Sequence, residues 1–135
     1  MKGSNSVSHV LIIDDDLDDC EIFEEVLQQL DSSIQLTTIY NCYDIITVLS
    51  KLESIPDVMF IDVNLTGEDG LKCIETIKGT STYSNLKVVI YCGAISQHVL
   101  DNALKDNTYS YYLKPSSLKE IHDLLERILI TQPLD

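Results

Sequence analysis

Short apolar runs, separated by longer stretches with helical periodicity, constrain the fold of this chain more than any other feature. Residues 10–13, 58–61 and 88–91 are nearly continuous in apolar side chains, and residues 109–113 form a fourth run rich in Tyr. Strands that are covered on both faces, as in parallel sheets, carry such continuous apolar sequence. Residues 34–39 alternate polar and apolar side chains instead, which predicts a half-exposed strand at the edge of the sheet.

Apolar residues at helical spacing fill the stretches between these runs and predict five helices. Asn41 and Ser96 are suitable N-caps for the second and fourth helices, and Gly79 is a suitable end for the third. Ser117 and Glu120 form a capping box at the start of the last helix. The inward-facing residues recur in five groups: Cys20, Phe23, Leu27 and Leu30; Ile45, Ile46, Leu49 and Leu52; Leu71, Ile74 and Ile77; Val99, Leu100, Ala103 and Leu104; and Leu118, Ile121, Leu124, Leu125, Ile128 and Leu129.

Five strands that are each followed by a helix predict an α/β fold, an open five-stranded parallel sheet with helices on both faces. Right-handed crossovers favour the strand order 2-1-3-4-5. The length of 135 residues and a hydrophobic content of 44% suit a single core. We expect residues 1–135 to form one domain with its core at about residues 9–130, and no second domain, because no linker or repeat interrupts the pattern.

Composition argues against several functional classes. No apolar run approaches the ~20 residues that a membrane-spanning helix needs, and the polar residues 1–6 do not resemble a signal peptide. We therefore expect a cytoplasmic protein with no membrane partner. Nine basic and 22 acidic residues give a formal charge of −13, which disfavours nucleic acid as a partner because its phosphates would be repelled. Acids that cluster can instead hold a divalent cation.

The four cysteines, Cys20, Cys42, Cys73 and Cys92, have neither CxxC nor Cys/His ligand spacing. In a cytoplasmic chain we expect all four to be small buried apolar residues. Cys92 also follows the fourth predicted strand, which places it near the residues described next.

Acidic residues and one lysine follow three of the predicted strands. Asp14 and Asp15 end the first strand, Asp62 the third and Lys114 the fifth. In open parallel sheets, ligands bind beyond the carboxyl ends of the strands, so these side chains should meet at one edge. Two carboxylates ~4 Å apart repel each other by roughly 4 kcal/mol at an effective dielectric constant near 20. The cluster therefore needs a proton or a cation, and its oxygen ligands suit Mg²⁺.

Three segments, residues 10–15, 61–70 and 111–115, resemble in order and spacing the signature blocks of response-regulator receiver domains. The resemblance extends from about His9 to Ile130. It implies a flavodoxin-like fold and a role in two-component signalling, in which a histidine kinase or a histidine phosphotransfer protein donates a phosphoryl group with Mg²⁺ as cofactor. Without an effector domain, we expect a stand-alone response regulator that binds an unknown downstream protein, either as a relay intermediate or as a diffusible regulator. Apart from self-phosphorylation and autodephosphorylation, we expect no enzymatic activity.

The resemblance also assigns roles to residues at the carboxyl edge of the sheet. Asp62 matches the aspartate that is phosphorylated. Asp14 and Asp15 match an acidic pair that binds Mg²⁺, Asp15 directly and Asp14 more often through water. Asn64 matches the residue whose backbone carbonyl binds the metal, and Lys114 matches the lysine that contacts the phosphoryl group.

Two further positions correspond to the conformational switch of the family. Tyr111 matches an aromatic residue whose rotamer reports activation, although packing on an edge strand explains this residue equally well. Cys92 stands where the family carries a serine or threonine that donates a hydrogen bond to the phosphoryl group. Because a thiol is a weaker donor, we expect Asp62 to be phosphorylated but only weakly coupled to Tyr111. The bond between Lys114 and Pro115 is expected to be cis, as is typical of the family.

A calcium loop is a weaker interpretation of the acids near the first strand. The spacing of the acids at residues 14–18 is similar to such a loop, but Asp19 stands where the loop needs glycine, and a strand precedes it where a helix is required. Asp16, Asp18 and Asp19 are more simply acids that favour a helix N-terminus.

Two other functional classes remain as alternatives. Residues 62–66 are similar to the nucleophile motif of haloacid-dehalogenase phosphatases, but that family requires a second acid where Asn64 stands. A module that binds a partner without being phosphorylated is the other alternative. It is disfavoured because Asp14, Asp15, Asp62 and Lys114 are all present.

Overall fold

A computed structural model of the chain describes residues 7–67, 70–94, 96–98, 100–101 and 109–130. None of the helices in these ranges is long and apolar enough to cross a membrane. The elements, in chain order, are β1 (His9–Ile13), α1 (Leu17–Leu30), β2 (Gln35–Ile39), α2 (Ile45–Ser50), β3 (Val58–Ile61), α3 (Gly70–Lys78), a 3₁₀ turn (Ser81–Tyr83), β4 (Lys87–Cys92), β5 (Tyr109–Leu113) and α4 (Leu118–Leu129).

All five strands run parallel in one sheet with the order β2-β1-β3-β4-β5, as predicted. β1 lies between β2 and β3, and Ile13 at its end is paired with Ile39 and Ile61. β2 lies on one side of β1, whereas β3, β4 and β5 follow in order on its other side, so the strand order switches at β1. The carboxyl ends of β1 and β3 therefore form the crevice in which ligands bind in sheets of this kind.

Two apolar cores cover the two faces of the sheet, and alternate residues of each strand contribute to them. Leu11 and Met59 belong to the core that α2 and α3 cover, whereas Ile12 and Phe60 belong to the core that α1 and α4 cover. All residues of β1 and β3 are buried, while those of β2 are exposed or half-buried. The continuous and the alternating sequence patterns thus predicted the burial of these strands correctly.

Side-chain caps fix the starts of α1 and α4. Asp16 accepts a hydrogen bond from Asp19 N–H at 3.1 Å, and Ser117 accepts one from Glu120 N–H at 3.2 Å. α3 ends directly before Gly79. The predicted capping box and the predicted glycine stop are both present in the structure.

The second helix is shorter than predicted. α2 covers only Ile45–Ser50, so it begins later than a cap at Asn41 would imply and does not reach Leu52. Asn41 Oδ1 accepts a hydrogen bond from the N–H of Tyr43 at 2.9 Å, and this bond closes a turn instead of starting a helix. Asparagine side chains commonly form such local turns in competition with helix formation.

The helix predicted after Ser96 falls mostly on residues that the structure does not describe. Its first turn is present, because Leu100 N–H donates to Ser96 O at 3.0 Å. Val99, Ala103 and Leu104, which were predicted to face the core, lie outside the described residues.

The prediction for the cysteines is wrong for two of the four. Cys42, in the loop before α2, and Cys73, in α3, form a disulfide across 31 residues of sequence, with their Cα atoms 6.1 Å apart. Cys20 and Cys92 are free and buried, as expected. Sequence spacing did not reveal the disulfide, because only the packing of α2 beside α3 brings its two cysteines together.

His9 is buried at the amino edge of the sheet, opposite the acidic cluster, with 2% of its surface exposed. Its Nδ1 lies 2.9 Å from Ser54 Oγ, and its Nε2 lies 2.7 Å from Thr37 Oγ1. Burial lowers the pKa of His9, although the charge of Asp57 opposes this effect. The native state therefore favours the neutral imidazole.

The free energy of unfolding should decrease as the pH falls below about 6.5, the ordinary pKa of histidine, because the unfolded chain then takes up a proton that native His9 resists. The contribution of neutral His9 is fully present above that pH and is lost progressively toward the lower pKa of the folded state. Urea unfolding at several values between about pH 5.5 and 7.5 measures the slope. His9→Gln, which keeps a donor and an acceptor for the two hydroxyls, should flatten it. An unchanged slope would assign the pH dependence to another group.

Candidate functional site

The carboxyl ends of β1, β3 and β5 bring Asp14, Asp62 and Lys114 together, as the positions of these residues at the strand ends predict. Lys114 Nζ lies 2.7 Å from Asp14 Oδ2 and 3.0 Å from Asp62 Oδ2. Asp14 and Asp62 are buried, with 1% and 8% of their surface exposed. Two carboxylates that have lost most of their water thus share one ammonium group, which offsets part of the cost of burying their charge.

A third carboxylate, that of Asp19, contacts the same ammonium, and the sequence analysis missed this role. Asp19 lies in the first turn of α1, and its Oδ2 is 2.7 Å from Lys114 Nζ. From sequence, Asp19 was predicted to have only a favourable interaction with the helix dipole. A signal was available, because α1 follows β1 after a short loop and its first turn must lie near the carboxyl edge of the sheet.

Lys114 keeps its charge although its side chain is largely buried. Burial opposes the charge, but the contacts with Asp14, Asp19 and Asp62 outweigh it, so the pKa of Lys114 lies above its ordinary value. The ammonium has three N–H donors and contacts three carboxylates. A single lysine directly after β5 thus connects the ends of β1 and β3 and the start of α1.

Asp14 is the carboxylate whose charge is most costly to maintain. Burial raises the pKa of Asp14, and Lys114 opposes this rise only in part. Asp14 Oδ1 accepts a hydrogen bond from Asp16 N–H at 3.0 Å. Within the described residues, Asp14 Oδ2 has the ion pair with Lys114 but no well-directed hydrogen bond. A charged Asp14 in the folded protein therefore depends on a neighbouring cation.

Asp15 and Asn64 connect the end of β1 to the loop after β3. Thr66 N–H donates to Asp15 Oδ2 at 2.9 Å, and this bond is the main reason why the pKa of the Asp15 carboxyl is lowered. Asn64 N–H donates to Asp62 Oδ1 at 2.8 Å, and Asn64 Nδ2 donates to Ala94 O at 2.8 Å. Both oxygens of Asp62 are therefore held, one by a backbone N–H and the other by the lysine.

Two glycines permit the tight loop that follows Asp62. Gly67 has a φ of 72°, a backbone conformation that favours glycine. A Cβ on Gly70 would collide with the backbone of Val63, so only glycine allows α3 to begin this close to β3. The loop thereby keeps the start of α3 in contact with the residue next to Asp62.

The residues proposed from the sequence as metal ligands, Asp14, Asp15, Asp62 and Asn64, lie at this same edge and suit Mg²⁺ chemically. The carboxylates around Lys114 outnumber its single positive charge, and Asp15 adds another negative charge nearby. Asp15 is exposed, so a hydrated cation can reach it. Carboxylates, a backbone carbonyl and water form the type of ligand set that Mg²⁺ prefers.

The predicted switch residues lie on β4 and β5. Cys92 is fully buried at the end of β4, its Sγ donates to Ala94 O at 3.2 Å, and burial raises the pKa of its thiol. Tyr111 on β5 has 39% of its surface exposed. The Lys114–Pro115 peptide bond is trans, so the expectation of a cis bond is wrong.

Comparison with known proteins supports the resemblance seen in the sequence. The profile of the response regulator receiver domain matches residues 10–126. The two-component response regulator ORR4 of Oryza sativa subsp. indica is 29% identical over 90% of this chain, which spans 59% of the length of that relative.

Solved structures show the same fold. The phosphorylated cyanobacterial phytochrome response regulator RcpA has a TM-score of 0.81 at 20% identity, over 96% of this chain and 99% of its own. The Mn²⁺-bound form of the response regulator Rcp1 has a TM-score of 0.78 at 18% identity, over 95% of this chain and 99% of its own.

Proposed function

This chain belongs to the response regulator receiver domain family, and from that membership we propose that Asp62 accepts a phosphoryl group from a histidine kinase or a histidine phosphotransfer protein. The proposal rests on the fixed orientation of the Asp62 carboxylate. Its Oδ1 accepts a hydrogen bond from Asn64 N–H at 2.8 Å, and its Oδ2 lies 3.0 Å from Lys114 Nζ. A carboxylate fixed at a ligand-binding edge meets an incoming phosphorus atom in a defined orientation.

In the proposed transfer, one carboxylate oxygen of Asp62 attacks the phosphorus of a phosphohistidine in line with the P–N bond. The O–P bond forms as the P–N bond breaks, and the electron pair of the broken bond stays with the imidazole of the donor, which takes up a proton. Lys114 and the backbone N–H of Asn64 would stabilise the charge on the transferring oxygens. A bound Mg²⁺ would supply further positive charge at the same oxygens.

We further propose that Asp15, Asp62 and the backbone carbonyl of Asn64 hold Mg²⁺ directly, and that Asp14 acts through water. The excess of carboxylates over ammonium groups at the site supports a cation there. The similarity of the fold to Rcp1, whose structure is described as Mn²⁺-bound, supports it as well.

Addition of Mg²⁺ or Mn²⁺ should raise the melting temperature, because a ligand that binds only the native state stabilises it. At a concentration 100 times its Kd, the gain is about 2.7 kcal/mol in the free energy of unfolding. Asp15→Ala should remove most of this gain, since it deletes an exposed ligand. Asp18→Ala is the matched control, because Asp18 is an exposed acid only three residues further along the chain, at the start of α1. Equal metal-induced shifts in wild type and Asp15→Ala would refute the proposed ligand set.

A phosphorylation assay with the purified chain tests the proposed function. Acetyl phosphate or phosphoramidate with Mg²⁺ should give a hydroxylamine-sensitive acyl phosphate, and peptide mapping should locate it at Asp62. Steady hydrolysis of p-nitrophenyl phosphate without an accumulating acyl phosphate would favour the phosphatase alternative. Profiling against histidine kinases and phosphotransfer proteins of the host would then identify the donor. We propose a protein as the target of the signal, because the charge of −13 disfavours nucleic acid.

We propose that Cys92 limits how far phosphorylation changes the structure. Its buried thiol already donates to Ala94 O at 3.2 Å and would have to give up that bond to reach a phosphoryl oxygen. A thiol is also a weaker donor than the hydroxyl found at this position in the family. A phosphoryl group shifts the equilibrium between an inactive and an active conformation only to the extent that it interacts more strongly with one of them.

Cys92→Ser should therefore enlarge the response of Tyr111 to phosphorylation. We expect beryllofluoride, which mimics the phosphoryl group, to cause larger NMR chemical shift changes around Tyr111 in Cys92→Ser than in wild type. Cys20→Ser is the control, because Cys20 is the other buried free cysteine and lies on α1. Wild-type shifts as large as those of Cys92→Ser would show that Cys92 does not limit the switch.

A further inference from the structure

The Cys42–Cys73 disulfide joins two elements on the side of the sheet away from α1 and α4. Cys42 lies in the loop between β2 and α2, and Cys73 is the fourth residue of α3. The bond therefore ties the loop at the carboxyl end of β2 to the first turn of α3. It lies outside the phosphoacceptor cluster and plays no part in the transfer proposed above.

A cleft of about 480 Å³ between α2 and α3 opens directly onto this disulfide. Both cysteines line it, together with polar residues that include Thr47, Lys72 and Thr76. Cys42 is half-buried, whereas Cys73 is buried with 5% of its surface exposed. A small thiol that enters the cleft therefore has better access to the sulfur of Cys42.

We propose that the Cys42–Cys73 disulfide is a reversible redox site, which a dithiol reductant opens by attacking Cys42 Sγ from this cleft. The thiolate of the reductant forms an S–S bond to Cys42, and the electron pair of the broken bond leaves on Cys73. The second thiol of the reductant then attacks its own sulfur in the mixed disulfide and releases Cys42. In balance, the reductant is oxidised to a disulfide by two electrons, and the protein gains two thiols.

The position of Cys73 favours it as the leaving group. It lies in the first turn of α3, a helix of nine residues, where the helix dipole stabilises a thiolate. Two charged residues line the same cleft: Lys72, one residue before Cys73, favours a thiolate there, whereas Asp44, two residues after Cys42, disfavours one. Disulfide exchange is faster when the departing thiol has a low pKa, so attack at Cys42 is favoured by both access and leaving group.

The other two cysteines are poorly suited to thiol chemistry, which restricts the proposed site to this pair. Burial raises the pKa of Cys20 to about 12, and it also raises the pKa of Cys92. Both residues are buried. Since the thiolate is the reactive form, we expect Cys20 and Cys92 to remain unmodified while the chain is folded.

The test is reduction of the folded, oxidised chain, followed by alkylation and mass mapping. Dithiothreitol in the absence of denaturant should make Cys42 and Cys73 reactive together, and removal of the reductant in air should restore the bond. Cys20 and Cys92 should be labelled only after unfolding. Free Cys42 and Cys73 in the chain before any reductant is added would overturn the proposal. A disulfide that opens only at denaturant concentrations that unfold the chain would overturn it as well.

The direction of attack can be tested in wild type and in one variant. With glutathione, a monothiol, the mixed disulfide trapped in wild type should map to Cys42 and not to Cys73. In Cys73→Ser, the remaining Cys42 should react with an aromatic disulfide reagent at least about tenfold faster than Cys20 does in the same molecule. A mixed disulfide on Cys73, or equal reaction rates of Cys42 and Cys20, would contradict attack through the cleft.

Discussion

Asp62→Asn is expected to abolish phosphoryl uptake from acetyl phosphate or phosphoramidate and to leave the fold intact. An amide oxygen is a poor nucleophile toward phosphorus, so labelling should fall to background. The fold should persist because Asn keeps an oxygen that can accept the hydrogen bond of Asn64 N–H, and Lys114 keeps its contacts with Asp14 and Asp19. Circular dichroism and thermal unfolding check the fold, and mass spectrometry checks the label.

Asp18→Asn is the control for this experiment, because it makes the same chemical change at an exposed aspartate of α1. It should be labelled as strongly as wild type. Comparable labelling of Asp62→Asn would mean that another carboxylate accepts the phosphoryl group. Peptide mapping would then show whether Asp14 or Asp15 is the acceptor.

Lys114→Met is expected to lower the free energy of unfolding by about 3 kcal/mol near neutral pH, because it leaves buried carboxylates without their cation. The aliphatic part of the side chain is kept, so the loss reports mainly on charge. Asp14 is the most affected residue, since burial already raises its pKa and Lys114 is the cation that opposes this effect. Urea unfolding of wild type and variant measures the difference.

The stability that Lys114→Met loses should depend on pH and on Mg²⁺. Without Lys114 the pKa of Asp14 rises further, so the folded variant binds a proton more readily than the unfolded chain. The difference in stability between wild type and variant should therefore shrink as the pH falls below neutral, and Mg²⁺ at neutral pH should restore part of the loss. Lys119→Met replaces an exposed lysine that pairs with Asp123 on α4, and it should change the free energy of unfolding only slightly. Equal stability of wild type and Lys114→Met at neutral pH would show that the carboxylates do not need this cation.

The sheet and the central part of the site were predictable from sequence because both follow from strand position. In a parallel sheet all carboxyl ends lie at one edge, so the residues that directly follow the strands lie close together there, and loop conformation matters little. Asp14, Asp62 and Lys114 are of this kind, and each of the two carboxylates lies within 3.0 Å of the Lys114 ammonium. The buried strands β1 and β3 were likewise evident from continuous apolar sequence.

The features that sequence analysis missed depend on how helices pack. The contact of Asp19 with Lys114 requires a particular placement of α1 on the sheet, which spacing along the helix does not specify. The disulfide requires α2 and α3 to lie side by side, and its cysteines are 31 residues apart in sequence. α2 itself is short because the side chain of Asn41 closes a turn. An asparagine can either cap a helix or close such a turn, and the sequence does not show which of the two forms.

The shared ammonium of Lys114 has a consequence for how substitutions in this protein combine. Asp14, Asp19 and Asp62 each lie within 3.0 Å of the same nitrogen, so removing one of them changes how strongly the lysine interacts with the other two. Residues that share a partner in this way show interaction energies of about 0.5–3 kcal/mol, and their separate effects do not add. The three aspartates thus behave as a single energetic unit, whose parts only double-mutant cycles can separate.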